Sequence, residues 1–499
     1  MIHFDILCKE TQNKWNKKNR SKRKRARKKL YQTLFLHILT TMDVQHTSKD
    51  EIETLILSAV HKDNIHLLKT YLSLVPNPND YLNHTYNRPY GQKCTALVIA
   101  CLNGYKKMVQ MLLKNFEPDL EILNIVRMKD NDQQLETFVN VTVLWVAAAL
   151  NNFQMVELFV AHGAQVNHRT NTNSTPLRCA CCNGNIDMVR YLVQNGADVH
   201  ITKIKRFTNL VASVFNGHMP MVAYLTDELG CDVNECLDDG RSPLCAAVYL
   251  ESLEMVQFLL DRGARNSVAL YNQMSPLMLA AEKRRLDLIE AISRHCSLVE
   301  QIEAKELLGS AFICDEFGLS DLQQAFQHWS QVIELRSVHQ LPKPVHESTQ
   351  EVFHHRQECQ TMDQLQAIQS NSDLMYIEAL LIRERLLGPQ NTRYLHSLHY
   401  RSAILADNEH FHSSLLFALY KLSLHRQHAT DIDKEDLREL ISPFARMMLV
   451  SLSVPIESLH TVMTVVVEEL QRNTEDFDYH FHTLLFFITI ASQVYEKNL

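Results

Sequence analysis

A single spacing limits what this chain can fold into. A Thr/Ser-x-Leu triplet recurs at Thr142–Leu144, Thr175–Leu177, Thr208–Leu210, Ser242–Leu244 and Ser275–Leu277, at intervals of 33, 33, 34 and 33 residues. Thr95–Leu97 precedes the series by 47 residues, one period plus an insertion of 14. A weaker unit, Glu51–Leu74, stands ahead of it. A period of this length marks a unit that cannot bury its apolar face alone, so neighbours stack into a solenoid. Few glycines (12 in 499 residues) and sparse Val/Ile/Thr alternation make those units helical.

The unit NTNSTPLRCACCNGNIDMVRYLVQNGADVH, Asn171–His200, shows the internal logic. Thr175 opens a short helix, and Pro176 sits in its first turn, where a missing N–H costs nothing. Gly184 suits a left-handed stop. Ile186, Val189 and Leu192–Val193 then share one face of a second helix, which Gly196 ends. The pattern resembles the ankyrin repeat, with T-P-L at the first helix and G-A-D after the second, and seven such units cover roughly Glu51–Ser297. Cys179, Cys181 and Cys182 fall on the short first helix, where other units place Ala147–Ala149 or Ala246–Ala247, so they read as small packing residues and not as a metal or redox site. Units six and seven carry Glu251 and Arg284 in place of the helix-ending glycine, which reads as drift near the end of the stack.

Composition is that of an ordinary soluble protein, with 46% hydrophobic and 21% charged residues. No apolar run reaches the roughly 18 residues of a membrane span, and the longest, Leu484–Ser492, reads as a buried helix. Nothing at the N-terminus resembles a secretory signal, so thiols in a reducing compartment are expected. The net charge of −7 hides an asymmetry, since residues 1–41 carry a net +10, concentrated in Lys14–Leu30. Such a block stays disordered. It fits a nuclear-import or nucleic-acid patch, a solvated tail, or translated sequence upstream of a start at Met42. No aromatic platform accompanies it, so nucleic-acid binding is not expected. The expected location is cytoplasmic, or nuclear if the tail acts as an import signal.

Departures from the repeat are the places to look for function. The insertion, Glu117–Asn140, is acidic and reads as a long loop, and Asp130, Asp132 and Glu136 next to Trp145 could hold a positively charged ligand. The alternative is a solvated acidic loop. Beyond Cys296 the period stops but helical patterning continues. Gln301–Arg336 has two amphipathic runs, and 337–373 reads as a long polar loop. In Glu378–Gln427, the residues Tyr400, Ala403, Phe411, Leu415 and Ala418 resemble a tetratricopeptide-type hairpin, with LGPQN as the turn before it. The expected architecture is all-α: a basic tail at 1–41, ankyrin repeats at 42–297, a tetratricopeptide-like domain at 298–430 and a helical segment at 431–499. His354, His355 and Cys359 match no standard metal set, and no nucleophile motif or phosphate loop is present. No catalytic residue, cofactor or metal is expected.

Three stretches occurring in order resemble the feminization (Fem) ankyrin-repeat family. They are VNHRTNTNSTPLRCACCNGNIDMVRYLV, EAKELLGSAF (Glu303–Phe312) and LLIRERLLGPQN…YRSAILADNEHF, spanning about Glu51–Gln427. The resemblance implies ankyrin repeats followed by a tetratricopeptide-like block. It further implies a substrate receptor of a cullin-2 RING ubiquitin ligase, with elongin B/C and cullin-2 as partners. The family's members recognise degrons at protein C-termini, notably those carrying arginine. A carboxylate pair suits a guanidinium, which bonds bidentately and is costly to bury unpaired. By this resemblance one acid falls at Asp132 on the loop, beside Asp130, and Trp145 follows the loop. The second acid position reads Cys182-Asn183-Gly184, so Asn183 offers an amide without charge. The family's elongin–cullin box has no counterpart in Phe486–Leu499.

Overall fold

The hydroxyl that opens each repeat caps its first helix. Thr95, Thr142, Thr175, Thr208, Ser242 and Ser275 all have extended backbones, and each side chain accepts a hydrogen bond from the backbone N–H three residues on. Asn or Ser repeats the device at the second helix, through Asn64, Asn152, Asn185 and Ser252. The ladder read from the sequence is therefore a ladder of N-caps. In this computed structural model the described residues are 48–129, 136–268, 273–314, 320–344, 350–427, 443–444, 446–447, 456–472, 485–490 and 492. The basic tail expected at 1–41 lies outside them. The chain divides into two units, 1–204 and 205–499.

The first unit holds four helix pairs. They are α1 (Lys49–His61) with α2 (Ile65–Leu74), then, after α3 (Pro78–Leu82), α4 (Ala96–Leu102) with α5 (Lys106–Phe116). Next come α6 (Val143–Ala149) with α7 (Phe153–Ala161), and α8 (Pro176–Cys182) with α9 (Ile186–Gln194). The short first helices are buried almost all round, which is why Ala and Cys fill them; Cys101 and Cys181 are fully buried. Four strands form one antiparallel sheet in the order β1 (Tyr86–Asn87), β2 (Lys93–Cys94), β3 (Asn124–Lys129) and β4 (Glu136–Val141). The insertion expected as a loop thus carries two antiparallel strands, paired from Asn124↔Val141 to Lys129↔Glu136. Alternation of Val126, Val139 and Val141 toward the interior fixes their register.

The second unit begins with three more pairs: α10 (Asn209–Phe215) with α11 (Met219–Ala223), α12 (Pro243–Tyr249) with α13 (Leu253–Asp261), and α14 (Pro276–Glu282) with α15 (Leu286–Ser293). α11 runs on as a π-helical turn, Tyr224–Glu228, closed by Leu229 N–H donating to the Tyr224 carbonyl. A π turn absorbs one extra residue, and this is the repeat whose spacing is 34 and not 33. Glu251 and Arg284 take φ of +56° and +55°, so the left-handed turn survives the loss of glycine; in the first unit Asn151 does the same at +55°. Drift describes the sequence there, not the backbone.

Further helices follow among the described residues, all but the third of them long: α16 (Leu298–Ile313), α17 (Leu322–Val338), α18 (Met362–Ile368), α19 (Ser372–Leu387), α20 (Thr392–Asp407) and α21 (Phe411–Gln427). α18 and the 3₁₀ turn Glu351–Phe353 lie inside the stretch expected as a loop, 337–373, and α19 begins before its end. Thr361 and Gln364 form a capping box at α18, a helix start that polar composition concealed. Gly388 (φ +84°) ends α19 and Asn391 caps α20, which is the LGPQN turn. Between α16 and α17 the Trp329 indole donates to the Glu306 carbonyl at 3.0 Å, and a Cβ on Gly309 would run into the ring. α22 (Ile456–Arg472) packs through Leu459, Val462 and Val466 on Phe411, Leu415, Phe444 and Phe487. No helix among the described residues is long and apolar enough to cross a membrane.

Candidate functional site

The sequence points to repeats two to four, and the structure sorts their residues into framework and surface. Asn124, at the root of the hairpin, is almost fully buried. Its Oδ1 accepts from Thr95 N–H at 2.6 Å, and its Nδ2 donates to the carbonyls of Ile122 (2.7 Å) and Val141 (3.4 Å). One amide therefore ties the start of α4 to both strands of the hairpin. Sequence reasoning missed it, because an Asn inside an acidic stretch looks like loop.

Trp145 is 7% exposed, with its indole donating to Ser174 Oγ at 3.3 Å. It lies beneath the surface as a bridge between repeats three and four. Asn183 caps the C-terminus of α8 and is exposed. Its Nδ2 donates to the carbonyls of Ala148 (3.1 Å) and Ala149 (3.4 Å) of the preceding repeat. What the side chain still offers a ligand is its carbonyl oxygen.

Asp130 and Asp132 lie outside the described residues. Glu136 begins β4, five strand steps from Val141, which at about 3.3 Å per residue is about 16 Å along the strand from the cap of α6. The inner acids of the insertion have framework roles. Glu121 accepts from Gln165 N–H at 2.8 Å and pairs with His168 at 3.1 Å, and Asp119 accepts from Glu121 N–H.

The inner helix α8 carries a charge that sequence reasoning passed over. Arg178 is buried, and its cation acts on the thiols of Cys179 and Cys182. Burial nevertheless dominates, pushing both thiols up, as it pushes the Cys101 thiol up to about 12. Cys179 and Cys182 have the Cys-x-x-Cys spacing, and their raised thiols favour the protonated form over the thiolate. Among the described residues no group of three or more His, Cys, Asp or Glu is placed to hold a metal.

The helix pairs, caps and hairpin roots define an ankyrin-repeat protein, and family models agree. Ankyrin repeats (3 copies) match residues 119–203 and 209–301, and a further ankyrin repeat matches 92–122. Protein fem-1 homolog A of Rattus norvegicus is 29% identical over 240 residues, covering 40% of this chain and 36% of its own. Protein fem-1 homolog A of Bos taurus is 29% identical over 209 residues, covering 39% of this chain and 31% of its own, and protein fem-1 homolog C of Homo sapiens is 28% identical over 214 residues, covering 40% and 34%. The matches thus span about a third of the length of these relatives. The chain carries ankyrin repeats and is similar to the fem-1 homologs over this part of their length.

Proposed function

We propose that this protein-binding adaptor is the substrate-recognition subunit of a cullin-RING ubiquitin ligase, and that it grips the C-terminal tail of its substrate through repeats two to four. The observation that carries the reading is the hairpin β3–β4, which extends the second repeat's turn by six residue pairs in a chain similar to the fem-1 homologs. A hairpin rooted in a packed amide gives repeats two and three an edge along which an extended peptide can lie, and Asp130 and Asp132, in the sequence between its strands, supply the negative charge an arginine tail needs. Asn183 keeps an acceptor but lowers the charge of the site, so arginine is one acceptable tail residue and not an obligatory one. Trp145 holds repeats three and four in register beneath it. Elongin B/C and cullin-2 are the partners this reading requires.

Fluorescence polarisation with labelled peptides tests it. Peptides ending in arginine should bind the full chain, and Asp130→Asn with Asp132→Asn should weaken them at least tenfold. Asn183→Asp should strengthen arginine tails selectively. Equal binding of arginine-ended and alanine-ended peptides by all three proteins would remove the proposed site.

A further inference from the structure

The two glycine replacements in repeats six and seven converge on one place. Glu251 and Arg284 both line a cavity of about 270 Å³ in the second unit. Its opposite wall is α20, which presents Arg393, His396 and Tyr400 at helical spacing. Arg383 of α19 also lines it and is only 3% exposed. Its Nη2 donates to Glu282 Oε2 at 2.6 Å, while Nε and Nη1 have no hydrogen-bond partner among the described residues. A guanidinium cannot shed its proton, and buried donors without acceptors are costly, so this arrangement calls for an acceptor.

The charge around the cavity points the same way. Among the described residues that line the cavity, four cations, Arg383, Lys283, Arg284 and Arg393, stand with two carboxylates, Glu251 and Glu282. Glu251 is already shared between Lys283 at 2.8 Å and Arg285 at 2.9 Å. Glu282 has one remaining acceptor, Oε1, also without a partner among the described residues. A ligand that satisfies both must bring an anion for Arg383 and a donor for Glu282. A peptide carries both, an oxyanion on a side chain or terminus and a backbone N–H.

We propose that this cavity binds the anionic group of a peptide partner, a carboxylate or a phosphoryl group, with its oxygens on Arg383 and Arg393 and a neighbouring N–H on Glu282. The site is distinct from the one proposed in repeats two to four and stands whether or not that one binds a tail. Its charge makes the affinity fall with added salt.

The test is fluorescence polarisation of the full chain with three labelled peptides of one neutral sequence, the central residue being serine, glutamate or phosphoserine and both ends blocked. Saturable binding of the glutamate or the phosphoserine peptide, displaced by inorganic phosphate, is the expected result, and the stronger of the two identifies the source of the oxyanion. Arg393→Ala lies on the surface and should weaken that peptide at least tenfold without changing the melting temperature. Arg383→Gln should abolish binding; where it also unfolds the chain, Arg393→Ala decides. Equal binding of the serine peptide, absence of saturation with all three, or wild-type affinity in Arg393→Ala would overturn the proposal.

Discussion

Asn124 shows how much of a repeat unit can rest on one amide. Replacing it with alanine leaves Thr95 N–H and the Val141 carbonyl without their partner at the hairpin root. A buried group stranded in this way costs about 1–3 kcal/mol, so Asn124→Ala should destabilise the first unit by about 2–3 kcal/mol. Urea unfolding followed by far-UV circular dichroism measures this; a midpoint unchanged from the parent protein would show that the root is not built as described. Trp145 and Asn183 belong to the same scale. Both were legible as special residues, yet what marks them in the sequence is equally the mark of framework. A tryptophan between repeats is large enough to bridge them, and an Asn before a helix-ending glycine can bond back to the previous turn.

At the scale of elements, α16 and α17 illustrate a conflict that propensity cannot resolve. Glycine inside a helix is disfavoured against alanine by about 1 kcal/mol, and sequence alone recommends Gly309→Ala. The indole of Trp329 fills the space a Cβ would need. Gly309→Ala should therefore destabilise the second unit by about 2 kcal/mol or more, read as a fall in its thermal midpoint; a rise would mean that the helix pair is looser than the packing indicates. Around this contact lies a buried charge cluster. Glu306 pairs with Arg336 at 3.1 Å and Arg385 at 2.8 Å, Arg385 reaches Glu358 at 2.7 Å, and Lys343 reaches Glu358 at 2.8 Å and Glu378 at 3.7 Å.

The two outer carboxyls of that cluster titrate in opposite directions. Burial pushes Glu358 up, but Arg385 and Lys343 outweigh it and hold the carboxyl below its usual value of 4.5. Its folded form favours the carboxylate, so its contribution is full above pH 4.5 and is lost as pH falls through the depressed value. Burial first, and the nearby Glu358 charge after it, raise Glu378 despite Lys343, so the neutral form suits that position. Glu358→Gln should cost on the order of 3 kcal/mol at pH 7, because it strands buried cations. That gap should close below pH 4.5. Glu378→Gln keeps an acceptor for Cys359 N–H and should be nearly neutral at pH 7. Thermal midpoints of both variants from pH 3 to 7 check the pair, and a pH-independent gap for Glu358→Gln would contradict it.

For the whole molecule, the repeat ladder was legible because each unit repeats one local chemistry, a capping hydroxyl, a short small-residue helix and a left-handed turn. The 34-residue step was visible too, but not its cause, since a π turn leaves no residue signature. The acidic insertion and the 337–373 stretch were read as loops because polar composition hides both a hairpin whose inward valines alternate and a capping-box helix of seven residues. The cavity lined by Arg383 was invisible for a different reason. Its residues come from the turns after α12 and α14 and from α14, α16, α19 and α20, and only folding brings them together.

The central claim is that this adaptor links a substrate to a ubiquitin ligase. The most direct test is an affinity pull-down of the full chain from cells with the proteasome inhibited, read by quantitative mass spectrometry. The account predicts elongin B, elongin C and cullin-2 in near-equal amount to the bait, with proteins that accumulate on proteasome inhibition beside them. Recovery of partner proteins with no elongin or cullin would contradict it, and would leave an ankyrin scaffold that binds its partners without recruiting a ligase.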